Sequence, residues 1–151
     1  MPNYSLSLPF KKQEQFADCL PACAAMVLSH LGVRIRYGRL VKLLRTTPFG
    51  TSAFNLQYLE RIGVKADVDD RDMEQLRVAV QNGVPTICFV TTAHFNHWQY
   101  ETDHAVVVIG FEDDAVLIHD PANETYPLRV ENTDFELAWL KFDYLSATLQ
   151  L

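Results

Sequence analysis

Cys19 stands at the predicted start of a helix, where a thiol is most easily converted into a nucleophilic thiolate. The apolar stretch from Leu20 to Leu31 has Pro21 in its first turn and Gly32 directly after its end, and these residue types favour the two ends of a helix. Unpaired N–H groups and the positive end of the helix dipole stabilise a thiolate there. The sequence therefore predicts a nucleophile helix over about 20–31 and requires a base elsewhere.

A candidate base and a carboxylate to orient it lie at the two ends of one predicted hairpin, over about 104–120. His104 opens its first apolar strand and Asp120 closes its second. With a three-residue loop at 112–114, the two side chains lie diagonally on one sheet face, within reach of each other. A two-residue loop would place Asp120 on the opposite face. A His–carboxylate pair therefore predicts the three-residue loop.

The other cysteines and histidines permit competing interpretations. Cys23 and Cys88 are interpreted as small buried core residues. A redox pair of Cys19 and Cys23 is disfavoured, because their spacing is not Cys-x-x-Cys and no thioredoxin-like pattern surrounds it. His94-x-x-His97 is not a strong zinc signature, so we expect no metal. The residues that a metal site would use are His94, His97, His104 and Cys88.

Residues beside the candidate groups have less distinctive patterns. The polar, aromatic stretch 91–100 is predicted as a loop beside the cleft, where Trp98 is a candidate for contacting a peptide; ordinary packing is the alternative. His119 is assigned a structural role, because adjacent strand residues point to opposite faces. Asp18 is interpreted as a surface or capping carboxylate, since a negative charge does not favour a neighbouring thiolate.

The composition places the chain among globular proteins. Its 151 residues are 48% hydrophobic and 21% charged, which suits one domain over 1–151 with a substantial core. The net charge of −6 argues against binding to nucleic acid or to anionic membranes. No stretch is long enough to span a bilayer, and the N-terminus lacks an apolar signal core. We therefore expect a cytoplasmic location.

The order of the predicted elements indicates an α+β fold. Helices dominate the first half and antiparallel strands the second, so the helices are expected to pack against one sheet. An extended lead-in is expected over 1–9. Further helices are predicted over about 37–44, 52–62, 72–80 and 135–140, and further strands over 64–68, 85–90, 124–130 and 142–149.

Taken together, these motifs resemble those of the papain-like bacteriocin-processing peptidases, which cut leader peptides after a double glycine. The resemblance rests on Gln13-x5-Cys19 before a helix rich in Ala and Met, on His104-Ala-Val-Val-Val-x-Gly110, and on Asp120-Pro121. It extends from about Gln13 to Leu149. It implies a papain-like α+β fold, with N-terminal helices packed on a C-terminal antiparallel sheet.

The resemblance also implies roles for single residues. Cys19 would be the nucleophile, His104 the base and Asp120 the residue that orients it. Gln13 would supply a side-chain donor to the oxyanion hole; from the residues alone Gln13 and Gln15 remain alternatives, and the family spacing of six selects Gln13. Such chemistry needs no cofactor and no metal.

One departure from the family pattern concerns specificity. The family usually has Gly directly after the nucleophile, and here the residue is Leu20, a candidate substrate-binding residue that would narrow the site. We therefore expect a cysteine peptidase acting on an extended peptide or protein, after small residues such as Gly-Gly. Alternatives are a non-catalytic peptide-binding module of the same fold and an acyltransferase using the same site. Many relatives are fused to a membrane transporter, so a transporter or a neighbouring domain is a possible partner.

Overall fold

The computed structural model describes residues 3–151, so the first two residues of the predicted lead-in and of the predicted domain lie outside the described part. Within it, most of the helical segments lie in the first half of the chain and most of the strands in the second. The helices are α1 (Cys19–His30), α2 (Tyr37–Leu43), α3 (Met73–Gln81) and α4 (Asn132–Leu140), with 3₁₀ segments at Ala53–Ile62 and Thr92–His94. The strands are β1 (Tyr4–Ser5), β2 (Lys65–Asp70), β3 (Thr86–Thr91), β4 (Asp103–Glu112), β5 (Ala115–His119), β6 (Leu128–Glu131) and β7 (Leu145–Gln150).

The described strands form one antiparallel sheet. Its order is β2-β7-β3-β4-β5-β6, and β1 pairs with the second half of β4. Every strand pair is antiparallel, as the α+β prediction requires. The sheet also includes β2, which was predicted as a strand over 64–68, and β1, which lies in the segment predicted as an extended lead-in.

Helices cover both faces of this sheet. On one face α1, α2 and the longer 3₁₀ segment pack with alternate residues of β3 and β4, such as Ile87 and Val107. On the other face α3 and α4 pack with the intervening residues, such as Cys88 and Val106. The central strands are therefore apolar along almost their whole length, because neither face meets water.

Most predicted elements lie within a few residues of the observed ones. The helix predicted at 20–31 begins one residue earlier, at Cys19, and Gly32 follows it with a φ of 79°. Asp72 and Gln75 form a capping box at the start of α3, the reciprocal pairing that satisfies two free N–H groups. The predicted helix at 52–62 is a 3₁₀ segment. None of the helices within residues 3–151 has the length and apolar character that a bilayer crossing requires.

The β4–β5 hairpin corrects one prediction. Glu112 pairs with Ala115, so the turn contains two residues, not the predicted three. A β-bulge between Val108 and Gly110 then inserts one extra residue into β4. The register beyond the bulge is Val107 opposite His119, and extending it by one position places Val106 opposite Asp120. The bulge therefore restores the face that a two-residue turn alone would have reversed.

Candidate active site

Cys19 is the first residue of α1 and is half-buried. The preceding residue, Asp18, makes no side-chain bond to the helix. Its carbonyl oxygen accepts from the Ala22 N–H at 3.1 Å, and Pro21 has no N–H. The N–H groups of the first turn have no intrahelical acceptors and carry the positive end of the dipole. Cys19 therefore stands at the N-terminal end of a helix, as the sequence predicted.

Asp18 is a buried anchor for the loop that leads into α1. Its side chain is 3% exposed, so the prediction of a surface carboxylate was wrong. The carboxylate accepts from the N–H groups of Glu14 at 3.2 Å and Gln15 at 2.9 Å, and from the Tyr37 hydroxyl at 2.9 Å. Burial and the bond to Asp18 raise the pKa of Tyr37. The carboxylate therefore fixes the loop between Gln13 and Cys19 against α2.

Gln13 lies in that loop, but its side chain is turned into the loop itself. Its Nε2 donates to the carbonyl oxygens of Gln15 at 2.9 Å and Phe16 at 3.0 Å. Its Oε1 is buried with no hydrogen-bond partner among residues 3–151. Its backbone N–H donates to the carbonyl oxygen of Pro121 at 2.9 Å. The loop is therefore tied directly to the corner that follows Asp120.

His104 brings the two halves of the site together. Its Nε2 lies 2.7 Å from Oδ1 of Asp120, and the Cys19 thiol lies near enough to the imidazole to help raise the pKa of that ring. Because Nε2 faces the carboxylate, Nδ1 is the ring nitrogen left for the sulfur. The three side chains that the sequence singled out therefore lie together, with the imidazole between the carboxylate and the thiol.

Asp120 accepts four hydrogen bonds and is completely buried. His104 Nε2 at 2.7 Å and the Ala122 N–H at 2.9 Å share Oδ1. His97 Nε2 and the Trp98 indole N–H, each at 2.7 Å, share Oδ2. Four donors saturate the lone pairs of a carboxylate. The buried charge is thereby compensated, as a charge removed from water must be.

These contacts shift two pKa values in opposite directions. Burial alone would lower the pKa of His104, but its hydrogen bond to Asp120, the nearby Cys19 thiol and the charge of Asp120 outweigh burial and raise it to about 9. Burial would raise the pKa of Asp120, but the hydrogen bonds from His104, His97 and Trp98 hold it well below its usual range. At neutral pH the pair therefore consists of an imidazolium and a carboxylate.

A cleft of about 340 Å³ opens beside Cys19 and His104. Leu20 lies in its wall and is 2% exposed. Phe49 lines the same cleft but is 99% exposed. Trp98 does not line this cleft; its ring packs edge-on against His104 at 4.8 Å between centroids. The other apolar lining residues are Ala53, Phe54, Phe89, Ala105, Phe142 and Leu145.

The remaining cysteines and His119 lie outside the cleft lining. Cys23 and Cys88 are fully buried, and burial is the main cause that raises the pKa of both thiols. His119 is buried, with Nε2 3.2 Å from the Leu8 carbonyl oxygen, and burial lowers its pKa. Within residues 3–151, no group of three or more His, Cys, Asp or Glu side chains is placed to hold a metal ion. Among the thiols, only Cys19 reaches the cleft.

Comparison with known proteins identifies the family of this chain. A model of the peptidase C39 family matches residues 7–144. The chain belongs to the peptidase C39 family. It is a cysteine peptidase with the papain-like fold of that family, and the resemblance noted from its motifs is confirmed.

Individual relatives agree with this assignment. The lactococcin-G-processing and transport ATP-binding protein LagD of Lactococcus lactis is 29% identical over 131 residues, which cover 84% of this chain and 17% of LagD. A C39-like peptidase from Bacillus anthracis superposes with a TM-score of 0.84 at 17% identity, over 100% of this chain and 98% of that one. The chain thus spans a small part of its curated relative.

Two peptidase domains of transporters have the same fold. A double glycine motif protease from a PCAT transporter, solved with its leader peptide, gives a TM-score of 0.74 at 19% identity, over 97% of this chain and 93% of its own. The peptidase domain of Streptococcus ComA, a bifunctional ABC transporter of a quorum-sensing pathway, gives 0.73 at 24% identity, over 97% of both chains. At these identities the likeness concerns the fold.

The hydrogen bond between His97 and Asp120 is the contact that sequence reasoning missed. His97 was considered as a metal ligand and as part of an aromatic loop, whereas its Nε2 bonds the same carboxylate as His104. Its position next to Trp98 was the available signal, because two consecutive donors in one loop can converge on a single acceptor. That acceptor lies 23 residues away, so the pairing depends on the fold.

Proposed function

We propose that this peptidase cleaves an extended peptide after small residues such as Gly-Gly, by acyl transfer through Cys19, His104 and Asp120. The observation that carries the proposal is the placement of His104 between Asp120, to which it is hydrogen-bonded, and Cys19 at the cleft. The raised pKa of His104, about 9, supports it, because an imidazolium at neutral pH stabilises a neighbouring thiolate.

The reaction follows from these positions. The Cys19 sulfur attacks the peptide carbonyl carbon, and His104 gives its proton to the leaving amine, which departs as the acyl-enzyme forms. A water molecule then attacks the acyl carbon while His104 removes its proton, and the carboxylic acid product leaves. Asp120 keeps Nε2 of His104 bonded throughout, so that Nδ1 stays directed at the sulfur.

The oxyanion would be stabilised by the Cys19 N–H and by the side-chain amide of Gln13. In the resting structure that amide already donates to the carbonyl oxygens of Gln15 and Phe16. Serving the oxyanion therefore requires one of these bonds to be exchanged when substrate binds. This exchange is chemically reasonable, because a charged acceptor forms the stronger hydrogen bond.

The preference for small residues is supported by the cleft and by the relatives. Leu20, in place of the family's usual Gly, follows Cys19 directly and lies in the cleft wall with 2% of its surface exposed. Two relatives are described as a double glycine motif protease bound to a leader peptide and as a processing and transport protein. We extend that substrate class to this chain, with a transporter or neighbouring domain as its partner. A cytoplasmic location stays a prediction from the sequence.

The test is to incubate the protein with a mixture of synthetic peptides that differ only in the two residues before one central bond. Mass spectrometry would locate each cut. We expect cleavage after Gly-Gly, lower rates after Ala-Ala and none after Leu-Leu, with all cleavage lost in Cys19→Ala. Cleavage that persists in Cys19→Ala, or a preference for Leu-Leu, would contradict the proposal. Adding an amine to the same reaction detects acyl transfer through the mass of the amide product.

A further inference from the structure

His97 makes a bond that the assignment of nucleophile, base and orienting carboxylate does not use. Its Nε2 lies 2.7 Å from Oδ2 of Asp120, the oxygen that faces away from the His104 bond. It comes from the loop before β4, on a different element from either partner. Its side chain is 16% exposed, so the imidazole lies at the edge of the protein interior with its nitrogen turned inward.

The ring of His97 is held in a fixed plane. It stacks on Phe95, with centroids 5.4 Å apart and planes 18° from parallel. Phe95 is itself buried and stacks on Phe135 of α4 at 6.5 Å. Stacking on an immobile aromatic ring leaves the imidazole little freedom to rotate. The direction of its Nε2–H bond is therefore set by the core between the sheet and α4.

Two donors on each oxygen prevent the carboxylate from turning. Rotation of the Asp120 side chain would break the bonds to His97 and Trp98 on Oδ2 together with those to His104 and Ala122 on Oδ1. The plane of the carboxylate in turn fixes the plane of the His104 ring. A small misplacement of a reacting group lowers a rate steeply.

We infer that His97 is a positioning residue for the reaction, one that aims His104 at Cys19 by holding Oδ2 of Asp120. The inference rests on the proposed function, since it assumes that Cys19 and His104 are the reacting pair. His97 is not among the residues that line the cleft. Its effect is therefore on the reactivity of Cys19 and on kcat, with little effect on KM.

The experiment compares variants by the rate at which iodoacetamide alkylates Cys19 at pH 6, with the modified residue located by mass spectrometry. His97→Leu removes the donor and is expected to lower the rate about 10-fold. His97→Gln keeps an N–H of similar reach and is expected to restore most of it. The matched control is His94→Leu, an exposed histidine of the same loop, expected to stay within about twofold of the parent.

A second pair of variants separates positioning from folding. His97→Asn and His97→Gln both carry an amide, but the Asn side chain is one methylene too short to reach Oδ2. If His97→Leu does not fold, as judged by circular dichroism, the test is the comparison of His97→Asn with His97→Gln. We expect Cys19 to be alkylated more slowly in His97→Asn. Equal alkylation rates in Asn, Gln and the parent protein would overturn the inference.

Failure of the inference can be distinguished from failure of the proposed function. If His104→Ala leaves Cys19 alkylation unchanged, the proposed function itself fails. If His104→Ala slows alkylation and the His97 variants do not, only the role of His97 fails. Once a cleaved peptide has been identified, we expect His97→Leu to have a lower kcat and an unchanged KM for that peptide. A change confined to KM would contradict positioning.

Discussion

Asp120 determines how the candidate reacting groups are arranged, because it is buried and all of its partners are hydrogen-bond donors. Two donors approach each carboxylate oxygen. An asparagine in the same place has one acceptor oxygen and one NH₂ group. Whichever way the amide turns, its NH₂ meets two other donors. Here the carboxylate cannot be replaced by its amide.

We therefore expect Asp120→Asn to impair the site severely. The rate of peptide cleavage should fall at least about 10²-fold, since losing the carboxylate beside a catalytic imidazole disturbs both its tautomer and its charge. Cys19 alkylation at pH 6 should fall in parallel. Asp114→Asn is the matched control, because Asp114 is exposed in the two-residue turn at the other end of the same hairpin. Parental activity in Asp120→Asn would show that His104 is oriented by other contacts.

Gln13 and Gln15 offer a second comparison between single residues. If Gln13 donates to the oxyanion, Gln13→Ala should lower kcat by roughly 10²–10³-fold with little change in KM. Gln15 is exposed, and its backbone supplies the contacts seen in the loop, so Gln15→Ala should be nearly neutral. Steady-state kinetics on one cleaved peptide would measure both. A larger effect at Gln15 would reverse the assignment.

Sequence reasoning found the residues with distinctive chemistry and missed those whose role depends on tertiary contacts. The closeness of Cys19, His104 and Asp120 in the fold could be predicted, because a helix start and two strand ends place these side chains in definite directions. The burial of Asp18 could not, since it depends on Tyr37 from α2. The bond between His97 and Asp120 likewise joins a loop to a strand end across the fold.

At the level of the secondary structure elements, the far end of the β4–β5 hairpin has the predicted register although the predicted loop length was wrong. A three-residue loop and a two-residue turn followed by a bulge both contain one extra residue. They therefore give the same pairing at the far end of the hairpin, where His104 and Asp120 lie. The sequence around Gly110 gave no sign of which applied, because the bulge lies where β1 joins β4, and that pairing is not local.

A substitution at Gly110 would test how closely β1 packs against the bulge. A Cβ atom at this position would clash with the Tyr4 carbonyl oxygen and lie 2.9 Å from the Ser5 Cα, so Gly110→Ala should displace β1. We expect the free energy of unfolding to fall by about 1–3 kcal/mol. Gly38→Ala is the control, because nothing lies within 4 Å of the added atom and alanine favours a helix by about 1 kcal/mol.

Urea titration followed by circular dichroism would measure both glycine variants. The expected order of stability is Gly38→Ala, then the parent protein, then Gly110→Ala. If Gly110→Ala were as stable as the parent, β1 would not be held against β4 in solution.

At the level of the whole molecule, the α+β class and the antiparallel sheet followed from the order of apolar patterns along the chain. Which helices cover each face of the sheet was harder to predict from the sequence. Strands such as β3 and β5 are buried along their full length, and a continuous apolar run does not reveal which helix covers which face. The contacts of α3 and α4 with the second face depend on how the chain crosses the sheet.

The two shifted pKa values predict how stability depends on pH. His104 has a raised pKa of about 9, so its stabilising contribution is complete below its ordinary value near 6.5 and is lost as the pH rises through 9. Asp120 has a lowered pKa, so its contribution is present above its ordinary value near 4 and is lost at lower pH. His119 acts in the opposite direction to His104, because its lowered pKa makes protonation below about 6.5 destabilising.

We therefore expect the free energy of unfolding to fall between pH 7 and pH 9, and this fall to be absent in His104→Gln. Urea titrations of both proteins at the two pH values would measure it. His119→Gln is the control and should keep the alkaline fall while changing stability below pH 6.5. An equal alkaline fall in the parent protein and in His104→Gln would show that the imidazolium of His104 does not stabilise the fold.

The most direct test of the central claim is the alkylation rate of each cysteine as a function of pH. A free thiol titrates near 8.5 and is mostly protonated at pH 6. We predict that Cys19 reacts rapidly at pH 6, that this reactivity is lost in His104→Ala, and that the buried Cys23 and Cys88 stay unmodified. If Cys19 is as inert as they are, or reacts equally fast without His104, then Cys19 and His104 do not form a reacting pair.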